Sequence, residues 1–126
     1  MKAERASRKK AERRGRHSET LASLLLMLKG YRILGRRVKT HLGEIDLIAR
    51  SPKGIVCFIE VKARGTASDA VQSIGPRQQA RIARAANLYL AQRPALAAKG
   101  VRYDAVIVAA GRLPRHVRDA WRSDGA

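Results

Sequence analysis

The chain has 126 residues, 27 of them Lys or Arg against 10 Asp or Glu, for a formal net charge of +17. This length supports one domain with a modest core, and so large a charge asks for a polyanionic partner, nucleic acid first and a membrane surface second. A single cysteine, Cys57, excludes a disulfide framework and fits a reducing cytoplasm, and the separated His17, His41 and His116 argue against a zinc site.

The elements follow in chain order. Residues 1–16 carry Lys2, Arg5, Arg8, Lys9, Lys10, Arg13, Arg14 and Arg16 with no apolar stripe. This arm is expected to be disordered or frayed in isolation, serving as a non-specific DNA-binding arm or as a solvating tail. Leu21, Leu24, Leu25 and Leu28 then mark one face of a helix from about Ser18 to Lys29, with Ser18 as N-cap and Gly30 as its stop. Glu19 falls in the first turn, where the helix dipole favours an acid; that role competes with metal binding. The basic arm before this helix mimics a signal peptide, but Glu19 interrupts the junction and no small-residue cleavage site follows. No run reaches the ~18 apolar residues of a membrane-spanning helix, and no membrane partner is expected.

Tyr31 to Val38 reads as a first strand, with Arg36, Arg37 and Lys39 leading out of it. Glu44 to Ala49 reads as a second, with Glu44 and Asp46 on one face and Ile45 and Leu47 on the other. Ser51-Pro52-Lys53-Gly54 is a turn, and Ile55 to Lys62 is the returning strand of an antiparallel hairpin. Phe58, Glu60 and Lys62 share one face of it, so the hairpin can bring Glu60 near Asp46. After a loop over Ala63 to Ser73, a helix runs from about Pro76 to Gln92. It buries Ile82, Ala86, Tyr89 and Leu90 and sets Arg77, Arg81 and Arg84 along another side, as a row for phosphates or as a solvated face. Val101 to Ala110 is a strand buried on both faces, within which Asp104 pairs with Arg102 or a backbone group. Arg115 to Trp121 is expected as a short terminal helix, with Trp121 sealing the core.

Acid is scarce in this chain, yet Glu44, Asp46 and Glu60, three of its ten acids, lie in two short apolar segments. A divalent cation is the best reason for them. Mg²⁺ takes one or two carboxylates and fills its remaining positions with water and phosphate oxygens. Asp46 and Glu60 suit the central ligands, Glu44 a supporting place, and Lys62 can orient an attacking water or stabilise the phosphate. A Glu-X-Lys alone is more often a solvated strand pair of little energetic worth. Two acidic motifs flanked by apolar residues and joined by a hairpin outweigh that reading, because charges inside apolar strands are costly unless paired or bound to metal.

Gly43-Glu44-Ile45-Asp46-Leu47-Ile48-Ala49 followed by Phe58-Ile59-Glu60-Val61-Lys62-Ala63-Arg64 resembles the signature of the YraN-like family. Gly30-Tyr31-Arg32-Ile33-Leu34 and Val101-Arg102-Tyr103-Asp104 extend the likeness over roughly residues 15 to 122. That family belongs to the restriction-endonuclease-like superfamily, known for the PD-(D/E)xK nuclease site and including archaeal Holliday junction resolvases. The resemblance implies an α/β, restriction-endonuclease-like core of order α-β-β-β-α-β over residues 17–122. It is a mixed sheet flanked by helices, preceded by the basic arm 1–16 and followed by a tail 123–126. It implies Asp46, Glu60 and Lys62 as catalytic residues, and Asp46, Glu60, Glu44 and Glu19 as ligands of Mg²⁺ or Mn²⁺. Two departures stand out: Gln78 occupies a position where many relatives carry lysine, and Ile45 replaces the motif proline.

The expected activity is a metal-dependent endonuclease acting on DNA, in preference to RNA, in repair or recombination. Arg36, Arg37, Lys39, Arg64, Arg77, Gln78, Arg81 and Arg84 are the expected nucleic-acid contacts. Resolvases act as dimers, so junction cleavage carries the expectation of a homodimer. Two readings compete: a nucleic-acid-binding module of nuclease-like fold without turnover, and an adaptor whose basic tail docks on acidic proteins or ribosomal RNA.

Overall fold

The computed structural model describes residues 16–63 and 74–123. A helix over residues 16–28 (α1) leads into strands Arg32–Thr40 (β1), Gly43–Arg50 (β2) and Val56–Lys62 (β3). The helix Pro76–Ala91 (α2), a 3-10 turn at Pro94–Ala97, and strands Val101–Ile107 (β4) and Arg115–Trp121 (β5) follow. The basic arm up to residue 15, the loop 64–73 with Arg64, and the last three residues lie outside the described residues.

The five strands make one sheet in the order β1-β2-β3-β4-β5. β3 and β4 run parallel and every other pair antiparallel. A parallel pair needs a crossover, and α2 is part of it. The core lies in two layers. Ile48, Val56, Phe58 and Ile45 pack with Ile82, Ala86 and Tyr89 of α2. Leu47, Ala49, Cys57, Ile59 and Val106 pack with Ala22 and Leu26 of α1. The helices therefore cover opposite faces of a mixed α/β sheet, and the middle strands are apolar on both sides because neither face meets water.

The connections follow from local chemistry. Gly30 adopts φ +85° at the end of α1. There the Tyr31 N–H donates to the Leu26 carbonyl at 2.9 Å and the Gly30 N–H to that of Met27 at 3.0 Å, the Schellman pattern that glycine permits. In the β2–β3 turn the Gly54 N–H donates to the Ser51 carbonyl at 2.8 Å, and the Ile55 N–H to Ser51 Oγ at 3.0 Å.

Several expectations are corrected. Arg115–Trp121 is a strand, antiparallel to β4. The outer edge of β4 offers backbone groups that need partners, and β5 supplies them. A bulge at Asp119, with φ 53°, breaks the alternation. Val117, Ala120 and Trp121, spaced as on a helix, thereby reach the same core. Trp121 does seal it, stacked on Tyr103 with ring centroids 4.1 Å apart. Ser18 is no N-cap, since the helix already runs through residue 16. β1 continues to Thr40, so Arg36, Arg37 and Lys39 sit within it. Ile45 and Leu47 do not share a face: Ile45 joins the α2 side and Leu47 the α1 side. The switch occurs at Asp46, which falls opposite Arg37, a residue in the left-handed region at φ 49°.

Candidate active site

The β2–β3 ladder stops at Leu47↔Ile59. One step further the register would set Asp46 against Glu60, and there a side chain replaces the backbone. Asp46 Oδ2 accepts the Val61 N–H at 2.8 Å. The strands fork at this point, so the two acids sit at an opening in the sheet instead of inside a closed ladder. Gly43, at the start of β2, allows a close approach by α2, because a Cβ there would lie 2.8 Å from Arg81 Cγ.

Asp46 and Glu60 are half-buried and hydrogen-bonded to each other. Burial and then the Asp46 charge push the Glu60 carboxyl up to about 8. Asp46 is also raised, by burial first, although the Val61 N–H and the Glu60 hydrogen bond pull the other way. The raised Glu60 carboxyl favours keeping its proton and donating it to the Asp46 carboxylate. Lys62 Nζ lies 3.9 Å from Glu60 Oε1, and Gln78 Nε2 of α2 donates to the same oxygen at 2.8 Å.

Glu19 stands on α1, buried, and Arg37 Nε reaches its two carboxylate oxygens at 3.2 and 3.0 Å. Its carboxyl is raised, chiefly by burial, with the charges of Asp46 and Glu44 adding to the effect against that of Arg37. The exposed Glu44 also raises Asp46. Among the described residues no group of three or more His, Cys, Asp and Glu gathers as a metal-binding set. Two of the expected ligands, Asp46 and Glu60, touch. Glu44 acts on Asp46 through its charge, and Asp46 in turn on Glu19.

The basic residues divide by role. Arg77, Arg81 and Arg84 are exposed along α2, and Lys39 is exposed on β1. Arg36 Nη2 donates to Thr20 Oγ1 at 2.8 Å, and Arg37 is held by Glu19. Gln78 turns inward to Glu60 instead of joining the arginine row. Its half-buried place one residue after exposed Arg77 was readable from the helix period, but its partner was not. A cavity of about 660 Å³ lies elsewhere, lined by Ile55, Leu90, Val101, Tyr103 and Trp121 among others; Asp46 and Glu60 do not line it. No described helix is long and apolar enough to cross a membrane.

The profile of the group described as "Uncharacterised protein family UPF0102" matches residues 18–108. A UPF0102 protein of Paramagnetospirillum magneticum is 52% identical over 118 residues, covering 90% of this chain and 91% of its own length. One from Maricaulis maris is 52% identical over 115 residues, covering 91% and 90%. One from Agrobacterium fabrum is 50% identical over 114 residues, covering 90% and 93%. All three likenesses span Asp46, Glu60 and Lys62 within nearly complete chains.

Proposed function

We propose that this chain, which belongs to the uncharacterised protein family UPF0102, is a metal-dependent phosphodiesterase that cuts DNA. The observation that carries the reading is the Asp46–Glu60 pair. Two carboxylates forced together in a chain of net charge +17 hold a proton where a cation would serve better. Their donor set is all hard oxygen, as Mg²⁺ or Mn²⁺ requires, and the protein ligands it normally takes are few. When bound, the ion supplies a water of lowered pKa and neutralises charge on the phosphate.

The chain's own residues do the rest. Asp46 and Glu60 hold the ion, the Val61 N–H fixes Asp46, and the Gln78 amide fixes Glu60. Lys62, beside Glu60, aims at the attacking water or the phosphate oxygens. Arg77, Arg81 and Arg84, with Lys39, hold the backbone of the nucleic acid near the fork. This reading assigns the mixed α/β core to the restriction-endonuclease-like superfamily. It makes branched repair or recombination intermediates in the cytoplasm the first substrates to try, with a homodimer for two-strand cuts.

A second reading has its own support. The acids are satisfied without metal, through the shared proton, the Val61 N–H and Gln78. A binding module without turnover fits that arrangement. The deciding experiment incubates purified protein with Mg²⁺ or Mn²⁺ and labelled linear, single-stranded, flapped and four-way-junction DNA, alongside Lys62→Ala. Metal-dependent cleavage lost in the mutant establishes the nuclease. Salt-sensitive binding without cleavage on any substrate establishes the module.

A further inference from the structure

A second polar cluster lies on the α1 face, away from the Asp46–Glu60 fork. Asp104 on β4 is fully buried, and Arg102 grips both of its oxygens at 2.8 Å. His116 Nε2 lies 2.7 Å from Asp104 Oδ2, and the Asp119 N–H donates to Oδ1 at 2.9 Å. The His116 side chain is 2% exposed. Its other nitrogen, Nδ1, meets Lys29 Nζ at 2.6 Å. Tyr31 packs edge-on against His116, and its hydroxyl accepts from Arg102 at 2.7 Å.

The Lys29–His116 contact limits the protons it can hold. An ammonium and an imidazolium would point N–H at N–H across 2.6 Å, which is no hydrogen bond. One of the two is therefore neutral. With the ammonium charged, His116 is the neutral Nε2–H tautomer, donating to Asp104. With the proton moved to Nδ1, Lys29 is a free amine and the imidazolium faces the Asp104 carboxylate. Burial and the charges of Arg118 and Arg102 lower Lys29, against the opposing pull of Asp104. Lys29 itself is exposed, at the end of α1, and the exposed Arg118 of β5 is close enough to act on it.

We propose that Lys29 is an amine nucleophile toward aldehydes. Its substrate is the ring-opened sugar of an abasic site in DNA, with His116 accepting its proton and Asp104 holding His116 in place. Nζ adds to the aldehyde carbon C1′. The oxygen leaves as water after proton transfers from nitrogen, and an imine remains; no oxidant or reductant is consumed. Loss of the C2′ proton to solvent base then lets the 3′ phosphate depart with the C3′–O electron pair, cutting the strand without metal. A chain of this charge attracts the DNA, and the exposed Arg118 suits a flanking phosphate.

The test mixes the full chain with a 5′-labelled duplex carrying one abasic site, in EDTA, and reduces any imine with borohydride. The expected result is a covalent protein–DNA adduct whose mass maps to Lys29. Lys29→Arg should cut its yield at least tenfold while keeping the native thermal melt. His116→Gln should leave Lys29 as the trapped residue but move the pH profile of trapping to higher pH. Glu60→Gln should trap as well as the wild type, which separates this activity from phosphodiester hydrolysis. No adduct, an adduct unchanged in Lys29→Arg, or one mapping to other lysines would overturn the proposal.

Discussion

The Glu60 carboxyl donates to the Asp46 carboxylate where β2 parts from β3, so one proton holds two acids that would otherwise repel. This has a consequence for stability. Glu60 is raised from 4.5 to about 8, so between those values the folded chain binds a proton that the unfolded chain releases. Stability contributed by that proton is complete below about pH 4.5 and is lost as pH rises through 8. Its full span is worth at most about 5 kcal/mol. Thermal melts of metal-free protein should therefore fall from pH 5 to pH 8.5, and Glu60→Gln, which needs no proton, should flatten that fall. A fall in Glu60→Gln as steep as in the wild type rules out the shared proton.

The same charge argument predicts how metal acts. At pH 8 the pair is losing its proton, and a divalent cation replaces it. Mg²⁺ at millimolar levels should raise Tm more at pH 8 than at pH 6, since at the lower pH it must first displace the proton. Asp46→Asn should abolish the increment. An equal increment in the mutant would mean that the ion binds elsewhere.

Gln78 is a positioning residue for Glu60, through its 2.8 Å hydrogen bond from α2. Gln78→Ala frees a half-buried carboxyl to rotate but removes no charge. In the proposed nuclease, kcat should fall about tenfold, the usual scale for lost support of a metal-ligating carboxylate, while KM for DNA stays within about twofold. Gln78→Glu adds a third acid and should fall further, with its loss partly recovered at higher Mg²⁺. A change confined to KM would return Gln78 to the role of a nucleic-acid contact.

Much of this arrangement was legible in the residues. The hairpin announced itself through Ser51-Pro52-Lys53-Gly54 between two apolar runs, and scarcity singled out Glu44, Asp46 and Glu60. Cys57 and Trp121 were assigned to the core, where they lie. Two of the failures share a cause. Wherever one residue takes a left-handed conformation, the alternation that sequence reading relies on is broken. Arg37 at φ 49° lies across from the place where Ile45 and Leu47 part, and Asp119 at φ 53° made a strand look like a helix. Neither residue is glycine; Asp tolerates this conformation better than most, but Arg37 gave no warning by its type. Long-range pairs such as Lys29 with His116, 87 residues apart, carry no local signal.

The arginine row on α2 yields a prediction about salt. Arg77, Arg81 and Arg84 are exposed, so each that contacts a phosphate releases about one counterion on binding. Replacing one by Ala should weaken affinity for all DNA sequences alike and reduce the slope of log Kd against log salt by about 1. Arg81 is the most informative, because it rests against Gly43 at the start of β2. If the slope is unchanged in all three mutants, α2 turns a solvated face outward and DNA is held elsewhere.

Asp104 supports the opposite half of the sheet, and its removal should be severe. Burial alone would raise its carboxyl, but His116, Arg102 and the Asp119 N–H together hold it down to about 2. Asp104→Ala removes the carboxylate that holds the Arg102 guanidinium and the His116 imidazole, so a loss of about 3–5 kcal/mol is expected. Cys57 offers an internal reporter. Its thiol is buried and pushed up to about 12, by burial first and then by the Asp104 charge. It should react with a thiol reagent only when the core opens. Denaturant melts and Cys57 labelling should then agree: the mutant loses that much stability, and its labelling in the absence of denaturant speeds up by at least a hundredfold. Rapid labelling of Cys57 in the wild type would show instead that the sheet opens locally at β3, and the two measurements would part.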